Sequence, residues 1–193
     1  MSRRRPAPKE LQPESFAFTE DNLKQALSHI AKYPEGRQAS AVLALLDLAQ
    51  RQHNNWVPMT AVDYVANLLK MPAIRVFEVV TFYTMFNLAP VGKYHIQLCG
   101  TTPCWLRGAE KIKETCKKKL KINLGETTDD GKFTLSEVEC LGACANAPMV
   151  QINDDFFEDL TEESMIKLID DLSNNKKTKL GSQTGRVSSE PYM

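Results

Sequence analysis

The chain has 193 residues, and 24 Lys and Arg balance 24 Asp and Glu, so its formal net charge at pH 7 is zero. This balance argues against nucleic acid and against any partner recruited by long-range electrostatics. The hydrophobic fraction of 42% is ordinary for a globular protein, and a chain of this length is expected to form one or two domains with a substantial core.

The N-terminal segment, residues 1–18, has no hydrophobic periodicity and is predicted to be a flexible arm. Its first 12 residues are basic and proline-rich without an apolar run, so we expect no secretory signal. Arg3, Arg4 and Arg5 resemble part of a mitochondrial presequence, but the nearby prolines and acidic residues fit an amphipathic transit helix poorly. No apolar stretch approaches the ~20 residues that cross a bilayer, so membrane contact is expected only through a partner.

Residues 19–90 are predicted to form a helical domain, because apolar side chains recur every three to four residues in four successive stretches. Thr19 is the predicted N-cap of the first helix. Thr60, followed by Asp63, resembles a capping box at the start of the third helix. The fourth helix is predicted to extend through Phe86.

After this segment the hydrophobic period changes, and residues 91–173 are predicted to form an α/β domain. The predicted elements are a strand over residues 94–98, a helix from Pro103 to Leu120, a short strand over 133–139, a hairpin over 149–160 and a helix capped by Thr161. This β-α-β unit, hairpin and helix have the size and order of a thioredoxin-like sandwich. Residues 174–193 are polar and basic and are predicted to be a flexible tail.

Four of the five cysteines form two close pairs, Cys99 with Cys104 and Cys140 with Cys144, separated by residues 105–139. Each pair follows the end of a predicted strand, so both loops are expected at one edge of the sheet. Because a reducing compartment is the default without a secretory signal, these thiols are more often metal ligands than disulfides. Four thiolates can hold one tetrahedral zinc ion or one iron–sulfur cluster.

Spacing alone leaves three interpretations of these pairs open. Zinc sites usually have Cys-x2-Cys knuckles or similar spacings, and Cys-x4-Cys and Cys-x3-Cys are loose for that pattern. A thiol–disulfide enzyme would place Cys-x-x-Cys at a helix start, and neither pair has that spacing. Plant-type [2Fe–2S] proteins begin with Cys-x4-Cys, as here, but continue with Cys-x2-Cys, which is absent. Spacing favours the cluster, then zinc, then redox thiols.

The residues beside the cysteines favour a buried anionic site. Gly100 and Gly142 allow backbone N–H groups to approach sulfur closely. Thr101 can donate a hydroxyl hydrogen bond, and Cys104 lies at a predicted helix start, where the helix dipole stabilises a thiolate. The peptide bond before Pro148, which precedes a predicted strand, is considered equally as cis and as trans.

The cysteine loops also carry a family resemblance. Residues 130–148, which contain Asp-Gly-Lys-Phe-Thr and then Cys-Leu-Gly-Ala-Cys-Ala-Asn-Ala-Pro, resemble the signature of the 24 kDa, E-type [2Fe–2S] subunits of respiratory complex I. Residues 98–104 resemble the first ligand loop of that family, and residues 79–86 resemble its helical domain. The resemblance spans roughly residues 15–172. It implies that one [2Fe–2S] cluster is bound by Cys99, Cys104, Cys140 and Cys144.

The resemblance further implies an electron-transfer subunit of NADH:quinone oxidoreductase, whose cluster exchanges single electrons with a flavin. FMN and NADH are then bound by a neighbouring flavoprotein subunit and not by this chain, which contains no Gly-x-Gly-x-x-Gly motif. We therefore expect no activity of this chain alone on NADH. Expected partners are that flavoprotein and other peripheral-arm subunits of complex I. The expected location is the cytoplasmic side of a bacterial inner membrane, with the matrix side of the mitochondrial inner membrane as the alternative.

Three alternatives to this function stay open from the sequence. The first is the equivalent diaphorase-module subunit of an NAD-linked hydrogenase or formate dehydrogenase. The second is a zinc-stapled binding module, and the third is a free thioredoxin-like ferredoxin. The helical domain argues against the third, because a free ferredoxin does not need it.

Several further residues have a plain structural interpretation. Cys116 is expected to be a buried core thiol and not a fifth ligand. His95 is expected on the polar face of its strand as a surface residue, not as a Rieske-type ligand. Phe82, Tyr83 and Phe86 are expected in the core, or at a subunit interface if exposed.

Overall fold

The computed structural model describes residues 5–187 and residue 190, and it divides the chain into two compact units. The first unit covers residues 1–91 and the second covers residues 92–193. The predictions made for residues 1–4, 188–189 and 191–193, as parts of an arm and a tail, lie outside the described residues. Among the helices that the structure describes, none combines the length and hydropathy that a membrane span requires.

Within the described residues, the first unit contains four α-helices. They are α1 (Glu20–Ala31), α2 (Val42–Gln52), α3 (Met59–Leu69) and α4 (Ala73–Phe82). The helix α1 begins as predicted, because the side chain of Thr19 accepts a hydrogen bond from the backbone N–H of Asn22. The predicted capping box at Thr60 is wrong. Pro58 precedes the first residue of α3, so Thr60 already lies inside the helix.

The end of α4 also differs from the prediction. The chain leaves the helical conformation at Tyr83 and does not continue as a helix to Phe86. Phe86, which lies beyond the helix, is buried, whereas Phe82, the last residue of α4, is 75% exposed and Tyr83 is 40% exposed. The core position is therefore confirmed for Phe86, whereas Phe82 and Tyr83 are exposed, and for them the alternative of a subunit interface stays a prediction.

The segment before α1 packs onto the helices. The backbone N–H of Ala7 donates to the carbonyl of Leu88 over 2.8 Å. Phe16 and Phe18 each meet the ring of Tyr64 edge to face. The structure thus differs from the predicted flexible arm, because a short extended segment can bury a few aromatic side chains without any helical or strand periodicity.

In the described residues, the second unit contains a five-stranded sheet and three helices. The strands are β1 (Tyr94–Cys99), β2 (Phe133–Val138), β3 (Val150–Ile152), β4 (Asp155–Glu158) and β5 (Gly181–Ser182). The helices are α5 (Thr102–Leu106), α6 (Ala109–Leu120) and α7 (Glu162–Ser173). The strand order is β2-β1-β3-β4-β5, in which β1–β2 and β4–β5 are parallel and the other two neighbours are antiparallel. The predicted β-α-β unit, hairpin and terminal helix are confirmed.

The single helix predicted after the first cysteine loop is instead two helices. Gly108 adopts a φ of +98° between α5 and α6, a conformation that few other residues tolerate. The break changes the direction of the chain, so Trp105 is 57% exposed and does not share the apolar side of α6. The predicted core position of Cys116 is confirmed, because this residue is fully buried.

The histidine of β1 is also placed differently from the prediction. His95 is buried, and its Nε2 lies 2.8 Å from the hydroxyl of Ser136 on β2. The strand β1 lies inside the sheet between β2 and β3, so side chains of neighbouring strands flank His95. The prediction of a surface residue is therefore wrong.

The C-terminal segment differs from the predicted flexible tail. Residues 181–182 form β5, which pairs with β4, and Arg186 makes an ion pair with the buried Asp159. The pattern of hydrophobic residues could not predict this ordered segment. A two-residue strand is too short to show a hydrophobic period, and the contact between Arg186 and Asp159 is ionic.

Candidate metal centre

Two parallel strands bring the cysteine loops together. Cys99 is the last residue of β1, and β2 ends at Val138, two residues before Cys140. The register pairs Cys99 with Val138, so the two strands end level with each other. The backbone N–H of Gly100 continues the ladder by donating to the carbonyl of Val138. Both loops therefore leave the same edge of the sheet, as the sequence predicts.

The first loop places its two thiols in a buried position. Cys99 and Cys104 are almost fully covered, and the hydroxyl of Thr101 lies 3.4 Å from Cys99 Sγ. Burial alone raises the pKa of Cys99, but hydrogen bonds from Thr101 and from the backbone N–H of Leu141 outweigh it, so this pKa is lowered. Burial and a hydrogen bond with Cys99 raise the pKa of Cys104 to about 12.

The second loop holds its two thiols at the surface. Cys140 and Cys144 are exposed, and their sulfur atoms are 3.5 Å apart. Gly142, at a φ of +86°, donates its backbone N–H to Cys140. That bond, with one from Cys144, lowers the pKa of Cys140, whereas the hydrogen bond to Cys140 raises the pKa of Cys144. Each loop therefore pairs one thiol of lowered pKa with one thiol of raised pKa.

The sulfur spacing in the second loop fits chelation of one metal ion. Metal–sulfur bonds of about 2.3 Å at the tetrahedral angle separate two sulfur atoms by about 3.8 Å, close to the 3.5 Å between Cys140 and Cys144. No three His, Cys, Asp or Glu side chains in residues 5–187 and 190 surround one common ion position. The sulfur atoms of Cys140 and Cys144 thus form one close pair of possible metal donors.

Contacts between the loops complete the group. The hydroxyl of Thr101 hydrogen-bonds Cys99 and also Cys140, so it bridges the two loops. The charge of Cys144 raises the pKa of Cys104, and the charge of Cys99 raises the pKa of Cys144, so thiols of the two loops lie near enough to interact. The structure therefore brings all four predicted site residues together. The peptide bond between Ala147 and Pro148, at the end of the second loop, is cis.

Comparisons with known proteins agree with this geometry. A family model described as thioredoxin-like [2Fe–2S] ferredoxin matches residues 26–173. The chain belongs to this family. It is 62% identical over 163 residues to the E-type subunit of NADH-quinone oxidoreductase from Rickettsia felis, an alignment that covers 84% of this chain and 98% of that relative. It is also 53% identical over 175 residues to the mitochondrial NADH dehydrogenase [ubiquinone] flavoprotein 2 of Dictyostelium discoideum, covering 91% of this chain and 71% of that relative.

A solved structure shows the same fold. The H2-reduced structure of an NAD⁺-reducing [NiFe]-hydrogenase aligns with a TM-score of 0.61 over 69% of this chain and 23% of the hydrogenase chain. The sequences are 20% identical in that alignment, so the likeness supports the fold. The resemblance to complex I subunits, and the thioredoxin-like fold predicted from the order of elements, are confirmed.

Sequence reasoning missed residues that contact the cysteine loops. Arg186 donates to the carbonyl of Ala145, directly after Cys144. Glu137 lies against Gly100, where an added Cβ would collide with its carboxylate, and Lys113 pairs with that carboxylate. None of these residues has a sequence signal, because each is an ordinary charged residue that only the folded chain brings to the loops.

Proposed function

We propose that this chain is the electron-transfer subunit of an NADH:quinone oxidoreductase and that its two cysteine pairs hold one [2Fe–2S] cluster. The observation that carries the proposal is the meeting of two thiol pairs at one sheet edge, in a chain 62% identical to an E-type subunit of NADH-quinone oxidoreductase. The proposed ligands are Cys99, Cys104, Cys140 and Cys144. When bound, the cluster supplies reversible one-electron exchange.

The residues of the chain define the surroundings of these ligands. Burial of Cys99 and Cys104 excludes water from one side of the site. The Thr101 hydroxyl and the backbone N–H groups of Leu141 and Gly142 donate to sulfur. Such donors stabilise the more negative, reduced state and so raise the reduction potential of a cluster.

A partner is proposed to hold the flavin. Cys140 and Cys144 are exposed, so the cluster would lie close to the surface on their side. Trp105 and Leu106, which directly follow Cys104, are 57% and 70% exposed, and exposed apolar side chains beside a site favour docking of another protein. We propose that an FMN- and NADH-binding flavoprotein subunit docks there and that this chain alone is inactive on NADH.

The complex is also the proposed route to the membrane. Other peripheral-arm subunits would complete the assembly, and this chain would be peripheral through them. The E-type relatives from Rickettsia are bacterial, which favours the cytoplasmic side of a bacterial inner membrane. The mitochondrial relative from Dictyostelium discoideum keeps the matrix side of the mitochondrial inner membrane as the second candidate.

Metal analysis of cysteine variants tests the proposal. The purified chain should contain iron and labile sulfide in equal amounts, with visible absorption and an EPR signal after reduction. Cys140→Ser and Cys144→Ser should lose or distort this signal, because each removes a proposed ligand. Cys116→Ala should keep it, because Cys116 is buried within α6, among apolar side chains of the second unit.

Two outcomes would contradict the proposal. A colourless protein that contains one zinc ion and no iron would establish the zinc-stapled module. An unchanged EPR spectrum in both ligand variants would show that other residues bind the cluster. Co-purification with a hydrogenase or formate dehydrogenase, and not with a quinone reductase, would keep the cluster and change the assembly.

A further inference from the structure

An ion pair that is almost fully shielded from solvent joins Arg186, in the C-terminal segment, to Asp159, which directly follows β4. The side chain of Asp159 is fully buried and that of Arg186 is 11% exposed. Arg186 Nε donates to Asp159 Oδ2 over 2.8 Å, and Nη2 donates to Oδ1 over 2.6 Å. This two-pronged geometry is the strong form of an arginine–carboxylate contact.

The same pair also holds the second cysteine loop. Arg186 Nη2 donates to the carbonyl oxygen of Ala145 over 2.6 Å. The backbone N–H of Asp159 donates to the carbonyl of the next loop residue, Asn146, over 2.8 Å. The side-chain amide of Asn146 in turn donates to Glu158 Oε2 over 2.8 Å. Two consecutive loop residues directly after Cys144 are therefore tied to β4 and to the C-terminal segment.

Further contacts fix the C-terminal segment in this position. The hydroxyl of Ser182 donates to Asp159 Oδ2 over 2.7 Å, and the backbone N–H of Gln183 donates to the carbonyl of Glu158 over 3.0 Å. Removal of Arg186 would leave a buried carboxylate without its cationic partner, a costly state. The ion pair and the short strand β5 therefore hold each other in place.

The cysteine loop has little regular structure of its own to hold it. After Cys140, its regular part is the single 3-10 turn Cys144–Asn146, and turns of this length have poor hydrogen-bond geometry. Its two thiols are also exposed, and the packing of the loop between them is confined to Leu141 and Ala143, which are partly buried against the cluster that contains Cys99 and Cys104. The carbonyl contacts made by Arg186 and Asp159 restrain the part of the loop that follows Cys144.

We propose that Arg186 and Asp159 are positioning residues that hold the Cys140–Cys144 loop in its ligating conformation. Through Arg186, the C-terminal segment, residues 176–187, restrains the conformation of that loop. The inference rests on the proposed function for its link to the cluster, whereas the restraint on the loop is independent of any bound metal.

The restraint is tested first in the metal-free chain. Hydrogen exchange is measured in peptides that cover residues 141–149, for the parent chain, Arg186→Ala and Arg186→Lys. In Arg186→Ala, the backbone amides of this loop should exchange at least about tenfold faster. The expected factor is taken by analogy from the loss of metal affinity that follows when a residue supporting a metal ligand is removed. Arg186→Lys should be intermediate, because lysine keeps the charge and lacks the planar fork. Lys119→Ala, which breaks the more exposed pair with Asp170, is the matched control and should match the parent.

The consequence for the cluster is tested in the loaded chain. The rate at which a chelator bleaches the visible absorption should rise about tenfold or more in Arg186→Ala, and the EPR line shape should change. Leu168→Ala removes a buried side chain of α7 and serves as a variant that lowers the melting temperature without touching the loop. It should keep the parent bleaching rate and spectrum.

The proposed restraint would be overturned if Arg186→Ala kept both the hydrogen-exchange rate of the loop and the bleaching rate of the parent chain. Equal bleaching rates in Arg186→Ala and Leu168→Ala would overturn it too, because general destabilisation would then explain both. Absence of iron in the parent chain would contradict the proposed function alone, since the exchange experiment would still report on the loop.

Discussion

At the scale of single residues, Thr101 connects the two halves of the site, because its hydroxyl contacts both Cys99 and Cys140. Thr101→Val keeps the shape of the side chain and removes the donor. We expect the midpoint potential to fall by about 40 mV, which corresponds to the loss of about 1 kcal/mol of stabilisation of the reduced state. An EPR-monitored redox titration measures this shift. Thr102→Val is the control, since Thr102 is exposed, and equal shifts in both variants would contradict a specific role for Thr101.

At the scale of elements, the β1–β2 pair sets the position of both loops, and Gly92 lies where this pair begins. Its backbone N–H donates to Thr134 Oγ1 over 2.6 Å, and an added Cβ would lie 2.8–2.9 Å from backbone atoms of Lys132 and Phe133. Because backbone cannot move aside as a flexible side chain can, Gly92→Ala should destabilise the protein by about 1–3 kcal/mol. Denaturant unfolding followed by circular dichroism measures this loss. Lys93→Ala, an exposed neighbour, should stay within about 0.5 kcal/mol of the parent, and an unaffected Gly92→Ala would show that the strands can separate at no cost.

At the scale of the whole molecule, the chain is proposed to work within a larger assembly, and its exposed apolar residues mark the contact. Leu106→Asp should reduce co-purification with the flavoprotein subunit by a factor of about ten or more, because charge at an apolar contact is costly to bury. The visible absorption of the cluster should be retained. Leu27→Asp changes a residue of the same type that is also exposed, in α1 of the first unit, and should co-purify normally. Normal co-purification of Leu106→Asp would move the docking surface elsewhere.

Much of the fold and of the candidate site could be predicted because local chemistry determines it. Thr19 and Thr161 cap their helices as predicted, since the hydroxyl satisfies a nearby backbone N–H within three residues. The period change after residue 90 places the α/β unit, and the alternation that ends at Cys99 and Cys140 places both loops at one sheet edge. Each of these features depends on neighbours in the chain, which the sequence displays directly.

Features that depend on distant neighbours could not be predicted in this way. The exposure of Trp105 follows from the left-handed turn at Gly108, and the burial of His95 follows from the interior position of β1. Arg186 reaches Asp159 and Ala145 only because β5 returns to β4. The sequence by itself determined the four thiols, their order and the strands that carry them, because these depend on local spacing. Only the tertiary structure decided which thiols are buried and what restrains the exposed loop, because contacts between residues far apart in the chain, burial and buried charge pairing set both.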